Sequence, residues 1–355
     1  MRGELSTRTP GRSRRSYFGN RDEALIEALV SFEGMSTQEI PVVDIAPLRN
    51  PSADPALLGA AVSQIGEACR GVGFFVATGH GIADEAIDSV FAMAQKFFAL
   101  PTGLKASVSI DNSSSNRGWV GMRRESLDPD RGADLKEAYN IGLEGDPGDP
   151  VADAQLPFRG PNQWPADAGD FSGTSFREQT LAYFNAAWAL GLDIHQAFAI
   201  DLGLTPDYFS SMLDRPMATL RLLRYPGRAA DGGASQLGAG EHTDYGNVTL
   251  LMTRGVGGLE VRTRDGQWLE APLLDNAFVC NIGDCLMRWT NEVYVSTPHR
   301  VQVPDRERYS VAFFLDPNPD AIVAALPSCV DDKHPAAFPP IAAADYLAQR
   351  LAATY

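Results

Sequence analysis

The C-terminal half of the chain is a succession of short apolar segments separated by turns, and this pattern most restricts the possible folds. The turn signals include Asp265-Gly266, a pair that favours a tight hairpin. Many short strands at such spacing are typical of a β-sandwich or barrel. The sequence therefore predicts a β core over about 216–317. Its segments are ATLRLLRYP, NVTLLMT, GLEVRTR, QWLEAP, AFVCNIGD, VYVSTPHRVQV and RYSVAFFLDP.

The first half of the chain, about 39–210, is predicted to be a helical region with a few strands. Apolar residues recur at helical spacing over 55–70, 83–101 and 174–200. IPVVDIAPL, GFFVATGHGI and KEAYNIGL are typical of short strands, and the polar remainder of 102–170 is typical of loops. A tail with a terminal helix fills 318–355. We expect residues 35–355 to form a single unit.

Residues 1–34 are predicted to be a disordered or misassigned extension. The segment contains several arginines but lacks the apolar stretch of a secretory signal. MSTQEIPVVDIAPL, beginning at Met35, has the character of a natural start that leads directly into a strand.

Charge and cysteine content narrow the class of partner. The 355 residues have a formal net charge of −15, which opposes binding to nucleic acid phosphates and anionic lipid. No apolar run reaches the roughly 20 residues that span a bilayer. The four cysteines form no Cys-x-x-Cys pair, so we expect reduced thiols in a cytoplasmic protein, with a disulfide as the alternative. A small-molecule substrate is the expected partner.

The stretch GAGEHTDYGNV, residues 238–248, contains the first candidate metal ligands. On a strand, His242 and Asp244 would point to the same face. His299 lies on a later predicted strand. Two histidines and one carboxylate form the facial triad of non-haem Fe(II) oxygenases, which leaves coordination positions open. The His-x-Asp pair alone is a weak signal, and a surface turn is the alternative.

A second pair follows the last histidine. Arg308 and Ser310 are also two residues apart, so they share one face of a strand. A guanidinium and a hydroxyl that point inward could hold a carboxylate, with the arginine bidentate. The alternative is a solvated arginine among Asp305, Arg306 and Glu307.

Taken together, these residues resemble the 2-oxoglutarate- and Fe(II)-dependent dioxygenases, in particular the isopenicillin N synthase-like branch. The resemblance extends from about residue 39 to 317 and implies a double-stranded β-helix, or jelly roll, behind a helical N-terminal layer. Its motifs are IPVVDIAPL, GFFVATGHGI, FFALP, RGWVG, GPNQWP, RLLRYP, GGLEVRTRDGQW, NIGD and STPHRV.

The resemblance implies roles for individual residues. His242, Asp244 and His299 would hold Fe(II), with 2-oxoglutarate and O2 as cosubstrates. Arg308, Ser310 and Tyr225 would bind the distal carboxylate of 2-oxoglutarate.

Other positions around Tyr225 and the metal depart from the family pattern or have more than one expected role. Plant relatives often have asparagine where this chain has Leu223, so that contact is lost or replaced. Arg221 would bind a carboxylate or form a structural salt bridge. Asn281 matches a motif near the metal. His80 and His195 are expected to be structural, and His334 solvated.

Residues 102–142 would form one wall of the substrate pocket, by the same resemblance. The alternative is a charged, solvated strand edge. A mixed aromatic and charged lining suits a small polar metabolite such as a nucleobase, an amino acid derivative or a natural-product intermediate. The candidates are Arg117, Trp119, Lys136, Glu137, Tyr139 and Asn140.

The implied reaction converts 2-oxoglutarate to succinate and CO2 and oxidises a C–H bond of the substrate. The carboxylate at Asp244 favours hydroxylation, desaturation or ring closure over halogenation, because related halogenases have a small residue there. Three alternatives stay open: an oxidase of this fold that does not use 2-oxoglutarate, a Zn(II)-dependent hydrolase, and a non-catalytic binding protein. The sequence does not predict an oligomeric state.

Overall fold

The computed structural model describes residues 39–145, 148–149, 157–228 and 237–352. The predicted extension, residues 1–34, lies outside the described residues. The described part belongs to one compact unit.

Six α-helices, five short 3-10 helices and fourteen strands lie in the described residues. The helices are α1 (Pro55–Gly71), α2 (Asp84–Phe98), α3 (Thr102–Ala106), α4 (Gly173–Asp201), α5 (Asp284–Trp289) and α6 (Ala343–Ala352). The strands are β1 (Val42–Asp44), β2 (Phe74–Thr78), β3 (Gly118–Val120), β4 (Glu137–Gly142), β5 (Thr219–Tyr225), β6 (Leu237–His242), β7 (Val248–Thr253), β8 (Leu259–Arg262), β9 (Trp268–Glu270), β10 (Phe278–Ile282), β11 (His299–Gln302), β12 (Arg308–Leu315), β13 (Ile322–Val323) and β14 (Ile341–Ala342).

Two sheets form the core. The larger has the order β1-β2-β10-β7-β12-β5-β4-β3, and the smaller has the order β6-β11-β8-β9. All pairings in both sheets are antiparallel except that of β1 with β2. The predicted jelly-roll core with its helical N-terminal layer is confirmed.

Side-chain alternation divides the larger sheet into two faces. On β5, Leu220 and Leu222 pack into the cluster that contains the helices, whereas Leu223 and Tyr225 pack toward the smaller sheet. Because β12 pairs with β5 in register, from Arg308 opposite Tyr225 to Phe314 opposite Thr219, the two strands turn their alternate residues toward the same interior. That interior contains the candidate site.

The helices cover the outer face of the larger sheet. Phe97 on α2 stacks on Phe176 of α4, with ring centroids 5.3 Å apart, and both rings are fully buried. No described helix has the length and apolar character needed to cross a bilayer. The four cysteines form no disulfide with one another in this structure, which agrees with the predicted reduced thiols.

Helix α1 begins with a side-chain cap. The Asp54 carboxylate accepts a hydrogen bond from the backbone N–H of Ala56 at 2.9 Å, and Pro55 occupies the first helical position. We expect Asp54→Ala to lower the free energy of unfolding by about 1 kcal/mol, the usual cost of a lost N-cap. Chemical denaturation measures this loss. Asp54→Asn retains a capping oxygen, so an equal loss in that variant would contradict the capping role.

Candidate metal and carboxylate site

Three potential metal ligands converge where the two sheets meet. His242 is the last residue of β6, and His299 is the first residue of β11, directly opposite it. Nε2 of His242 lies 3.8 Å from Oδ1 of Asp244, and Nε2 of His299 lies 3.6 Å from the same oxygen. One ligand atom from each residue lies within 4.8 Å of the others, a spacing that a single ion could bridge.

Backbone carbonyls set the tautomer of both histidines. Nδ1 of His242 lies 2.7 Å from the carbonyl oxygen of Gly240, and Nδ1 of His299 lies 3.1 Å from that of Thr297. A carbonyl oxygen only accepts, so each Nδ1–H is the donor. Both Nε2 lone pairs are therefore free to bind a metal. In metal-binding histidines the other ring nitrogen usually donates a hydrogen bond in this way.

Asp244 is oriented by two strands of the larger sheet. Its Oδ2 accepts hydrogen bonds from Thr249 Oγ1 at 2.5 Å and from Asn281 Nδ2 at 2.7 Å. Oδ1 is left to face the histidines. The expectation that His242 and Asp244 share a strand face is wrong, because β6 ends at His242 and Asp244 lies in the following turn.

The ligand cluster favours a neutral histidine beside an ionised carboxylate. Burial and the nearby His299 lower the pKa of His242 to about 3. Burial alone would raise the pKa of Asp244, but the two imidazoles and the hydrogen bonds from Asn281 and Thr249 bring it below its usual value. A divalent cation requires this protonation pattern in its ligands.

Arg308 lies at the other end of the same interior and is 1% exposed. Its Nε donates to the carbonyl oxygen of Val256 at 3.2 Å, and its Nη1 donates to Ser310 Oγ at 3.3 Å. The guanidinium also lies 4.8 Å from the centre of the Tyr225 ring. No carboxylate of the described residues lies within ion-pair distance of Arg308. A buried cation without an anion is costly, so this position is suited to an anionic ligand.

A chain of ion pairs connects the pocket wall to the ligand strand. Arg221 Nη2 lies 2.5 Å from Glu125 Oε2, and Lys136 pairs with both Glu125 and Asp134. Asp134 in turn accepts a hydrogen bond from the backbone N–H of Gly240 at 3.0 Å. Of the two roles expected for Arg221, this is the structural salt bridge, although Arg221 also lines the pocket.

A cavity of about 190 Å³ contains both the ligand cluster and Arg308. Of the residues expected to contact substrate or support the metal, five line it. They are Arg117, Lys136, Asn140, Arg221 and Asn281.

Trp119 and Tyr139 are not among the lining residues. They pair with each other across β3 and β4 and lie on the face opposite to Asn140. Trp119 Nε1 donates to Glu137 at 2.9 Å, and the Tyr139 ring packs 4.5 Å from Phe97. Their prediction as pocket residues is corrected, because adjacent positions on a strand point to opposite faces.

The remaining histidines have other surroundings. His80 contacts the backbone N–H of Ile82, and His195 lies 2.7 Å from the Gly191 carbonyl oxygen and 3.1 Å from Asn247. His334 is exposed beside Asp331.

Helix α6 contributes a wall that the sequence did not predict. Leu347 and Leu351 line the cavity. Arg350 connects the helix to the ligand turn, because its Nη2 donates to Thr243 Oγ1 at 3.3 Å. Tyr346 connects it to the start of α5, where its hydroxyl donates to Asp284 at 3.0 Å.

Asp316 is another residue of the cavity lining that the sequence did not predict. It continues the alternation of Arg308 and Ser310 along β12, and that periodicity could have identified it. Burial and the nearby Asp244 raise its pKa to about 7, although Arg117 opposes the shift. A carboxyl group in this position is therefore stabilised by a hydrogen-bond donor or a positive charge.

Two protein-family profiles match the chain. Residues 40–167 match the N-terminal region described as that of a non-haem dioxygenase in morphine synthesis, and residues 217–317 match the 2OG-Fe(II) oxygenase superfamily. A 2-oxoglutarate-Fe(II) type oxidoreductase, hxnY of Emericella nidulans, is 36% identical over 308 residues, covering 86% of this chain and 87% of that protein. The chain belongs to the 2-oxoglutarate- and Fe(II)-dependent dioxygenases.

Other similar proteins also use 2-oxoglutarate or are bound to it. The 2-oxoglutarate-dependent dioxygenase tropC of Talaromyces stipitatus is 36% identical, covering 79% of this chain and 86% of its own. The crystal structure of Neurospora crassa T7H with α-ketoglutarate superposes with a TM-score of 0.80 and 32% identity, covering 91% of this chain and 98% of T7H. Further T7H structures contain thymine or 5-formyluracil. This dioxygenase therefore uses Fe(II) and 2-oxoglutarate.

Proposed function

We propose that this dioxygenase hydroxylates a C–H bond of a small polar metabolite, with His242, Asp244 and His299 as the iron ligands. Arg308, Ser310 and Tyr225 bind the distal carboxylate of 2-oxoglutarate in this proposal. The observation that carries it is the buried Arg308, which has no carboxylate partner among the described residues and shares one cavity with the three ligands.

The donor set fits Fe(II). Two imidazole nitrogens and one carboxylate oxygen on one side of an ion leave room for a chelating keto acid and dioxygen. When bound, the iron supplies the redox chemistry that couples decarboxylation of 2-oxoglutarate to oxidation of the substrate. The hydrogen bonds to Gly240, Thr297, Thr249 and Asn281 hold the ligand atoms in place before the metal arrives.

Charge selects the cosubstrate at the other end of the cavity. The Arg308 guanidinium presents a planar fork that suits a carboxylate, and Ser310 Oγ lies beside it. Burial lowers the pKa of Arg308, so a carboxylate that neutralises the guanidinium also relieves the cost of its burial.

The partners are proposed from the same features. The net charge of −15 opposes nucleic acid and anionic membranes, and the free thiols suit a cytoplasmic location. Thymine and 5-formyluracil, found in the T7H structures, are examples of the class of small polar metabolite.

An anaerobic titration tests this function. Metal-free protein is given Fe(II), then 2-oxoglutarate, and the visible charge-transfer band of the chelate is followed. We expect the band to appear at one equivalent of each, and succinate to form once oxygen and a substrate are admitted. Iron binding without the band would instead favour the oxidase that does not use 2-oxoglutarate.

A further inference from the structure

One row of side chains on β12 runs along the cavity from one end to the other. Every second residue faces inward, namely Arg308, Ser310, Ala312, Phe314 and then Asp316 just beyond the strand. At about 3.4 Å per residue, the first and last of these lie on the order of 25 Å apart along the chain, beyond the reach of one five-carbon diacid. One molecule of 2-oxoglutarate therefore cannot contact both Arg308 and Asp316.

The metal ligands lie toward the Asp316 end of this row. Thr249, which donates to Asp244, is opposite Phe314 in the pairing of β7 with β12. Gly246, two residues after Asp244, lies against the Asp316 carboxylate, since a Cβ on this glycine would be 1.6 Å from Asp316 Oδ1. Asp316 is thus next to the ligand turn and on the far side of it from the cosubstrate arginine.

The Asp316 carboxylate has no partner among the described residues. It is 8% exposed and lines the cavity, yet it forms neither a hydrogen bond nor an ion pair there. Buried carboxylates are normally paired. Of the other charged residues of the pocket wall, Arg221, Glu125 and Lys136 are paired with one another. Arg117 forms no ion pair among the described residues, and its charge lowers the pKa of Asp316.

Asn140, which the strand register places level with the middle of β12 through Arg221 and Ala312, offers a second acceptor. Asn140 Nδ2 donates to the Asn116 carbonyl oxygen at 3.3 Å, which fixes the amide orientation, and its Oδ1 has no donor in the described part of the chain. Nearby Arg117 directs its two terminal nitrogens to Thr219 and to the Phe158 carbonyl oxygen. The Nε of Arg117 also has no partner among the described residues, so the unused groups are two acceptors, on Asp316 and Asn140, and one donor. Apolar lining comes from Phe158, Met217, Leu347 and Leu351.

We propose that Asp316 is a substrate-specificity residue that binds an N–H group of the substrate, so the substrate is a nitrogen compound with an apolar body. This inference rests on the proposed function, because it presumes that 2-oxoglutarate occupies the Arg308 end. The N–H belongs either to a neutral amide or imide or to an ammonium group. Both satisfy the same carboxylate.

Matched pairs of probe compounds distinguish a neutral N–H group from an ammonium group. Thymine and 1,3-dimethylthymine differ in neutral N–H groups, and benzylamine and benzyl alcohol differ in the ammonium group. Each is added anaerobically to the Fe(II)–2-oxoglutarate enzyme, and the change of its charge-transfer band gives the dissociation constant. We expect at least one N–H probe to bind about 10- to 100-fold more tightly than its partner, as one hydrogen bond to a charged group implies.

Variants assign the preference to Asp316. Asp316→Ala should remove it. Asp316→Asn, which keeps the shape and one acceptor oxygen, should retain a preference for thymine but lose one for benzylamine. Asp320→Asn, at an exposed position four residues later, is the matched control and should behave as the unmodified enzyme.

The outcomes distinguish the two proposals. A missing band in the unmodified enzyme without probe overturns the proposed function. A normal band leaves the proposed function intact, and three results then overturn the role of Asp316 alone. Both members of each pair bind equally, neither N–H probe binds, or the preference is unchanged in Asp316→Ala.

Discussion

Asp244→Ala is expected to abolish 2-oxoglutarate-dependent turnover and to weaken Fe(II) binding. Asp244 contributes the only carboxylate oxygen within reach of both Nε2 atoms among the described residues. Its removal leaves two neutral ligands and no charge to balance the ion. Loss of a hydrogen-bonding partner of a ligand typically costs about 10- to 100-fold in affinity or activity, so loss of the ligand itself should exceed this. Iron titration and succinate release measure both effects.

Two further variants make the interpretation specific. Asn281→Ala removes one hydrogen bond to Asp244 and should lie between the unmodified enzyme and Asp244→Ala in iron affinity. Asp275→Ala, at an exposed position, should have no effect. Iron affinity and product formation unchanged in Asp244→Ala would rule out its role as a ligand.

Arg308→Ala is expected to weaken 2-oxoglutarate binding without removing the iron. Truncating one partner of a buried, hydrogen-bonded charge pair costs about 2–5 kcal/mol, which corresponds to about 30-fold or more in the dissociation constant. Arg308→Lys retains the charge but loses the planar fork, so its affinity should be intermediate. The charge-transfer band, titrated with 2-oxoglutarate, measures each constant.

The neighbouring Arg306 provides the matched control for Arg308. It donates to the Gly255 carbonyl oxygen at the surface, so Arg306→Ala removes an equal charge outside the cavity. Similar affinities in Arg306→Ala and Arg308→Ala would attribute the effect to overall charge. Full affinity in Arg308→Ala would contradict its role as the carboxylate site.

Much of the fold followed from local patterns. The apolar periodicity of residues 55–70 and 174–200 matches α1 and α4 closely, and the Asp265-Gly266 turn joins β8 to β9. Such features depend on neighbours a few residues away. The strand Gly118–Val120 and the short helix Thr102–Ala106 lie in a stretch predicted mostly as loop. β3 exists because it pairs with β4, which is a contact between distant segments.

The sequence by itself determined which donor groups the chain possesses and the order in which they occur. With only five histidines, it could place His242, Asp244, His299 and the Arg308–Ser310 pair in one family pattern. Only the tertiary structure decided that Asp244 acts from a turn, held by Thr249 and Asn281, and that Trp119 and Tyr139 point away from the cavity. It also decided that Asp316 faces the cavity unpaired. Spacing along a strand tells which residues share a face, but packing against the rest of the chain decides which face encloses the site.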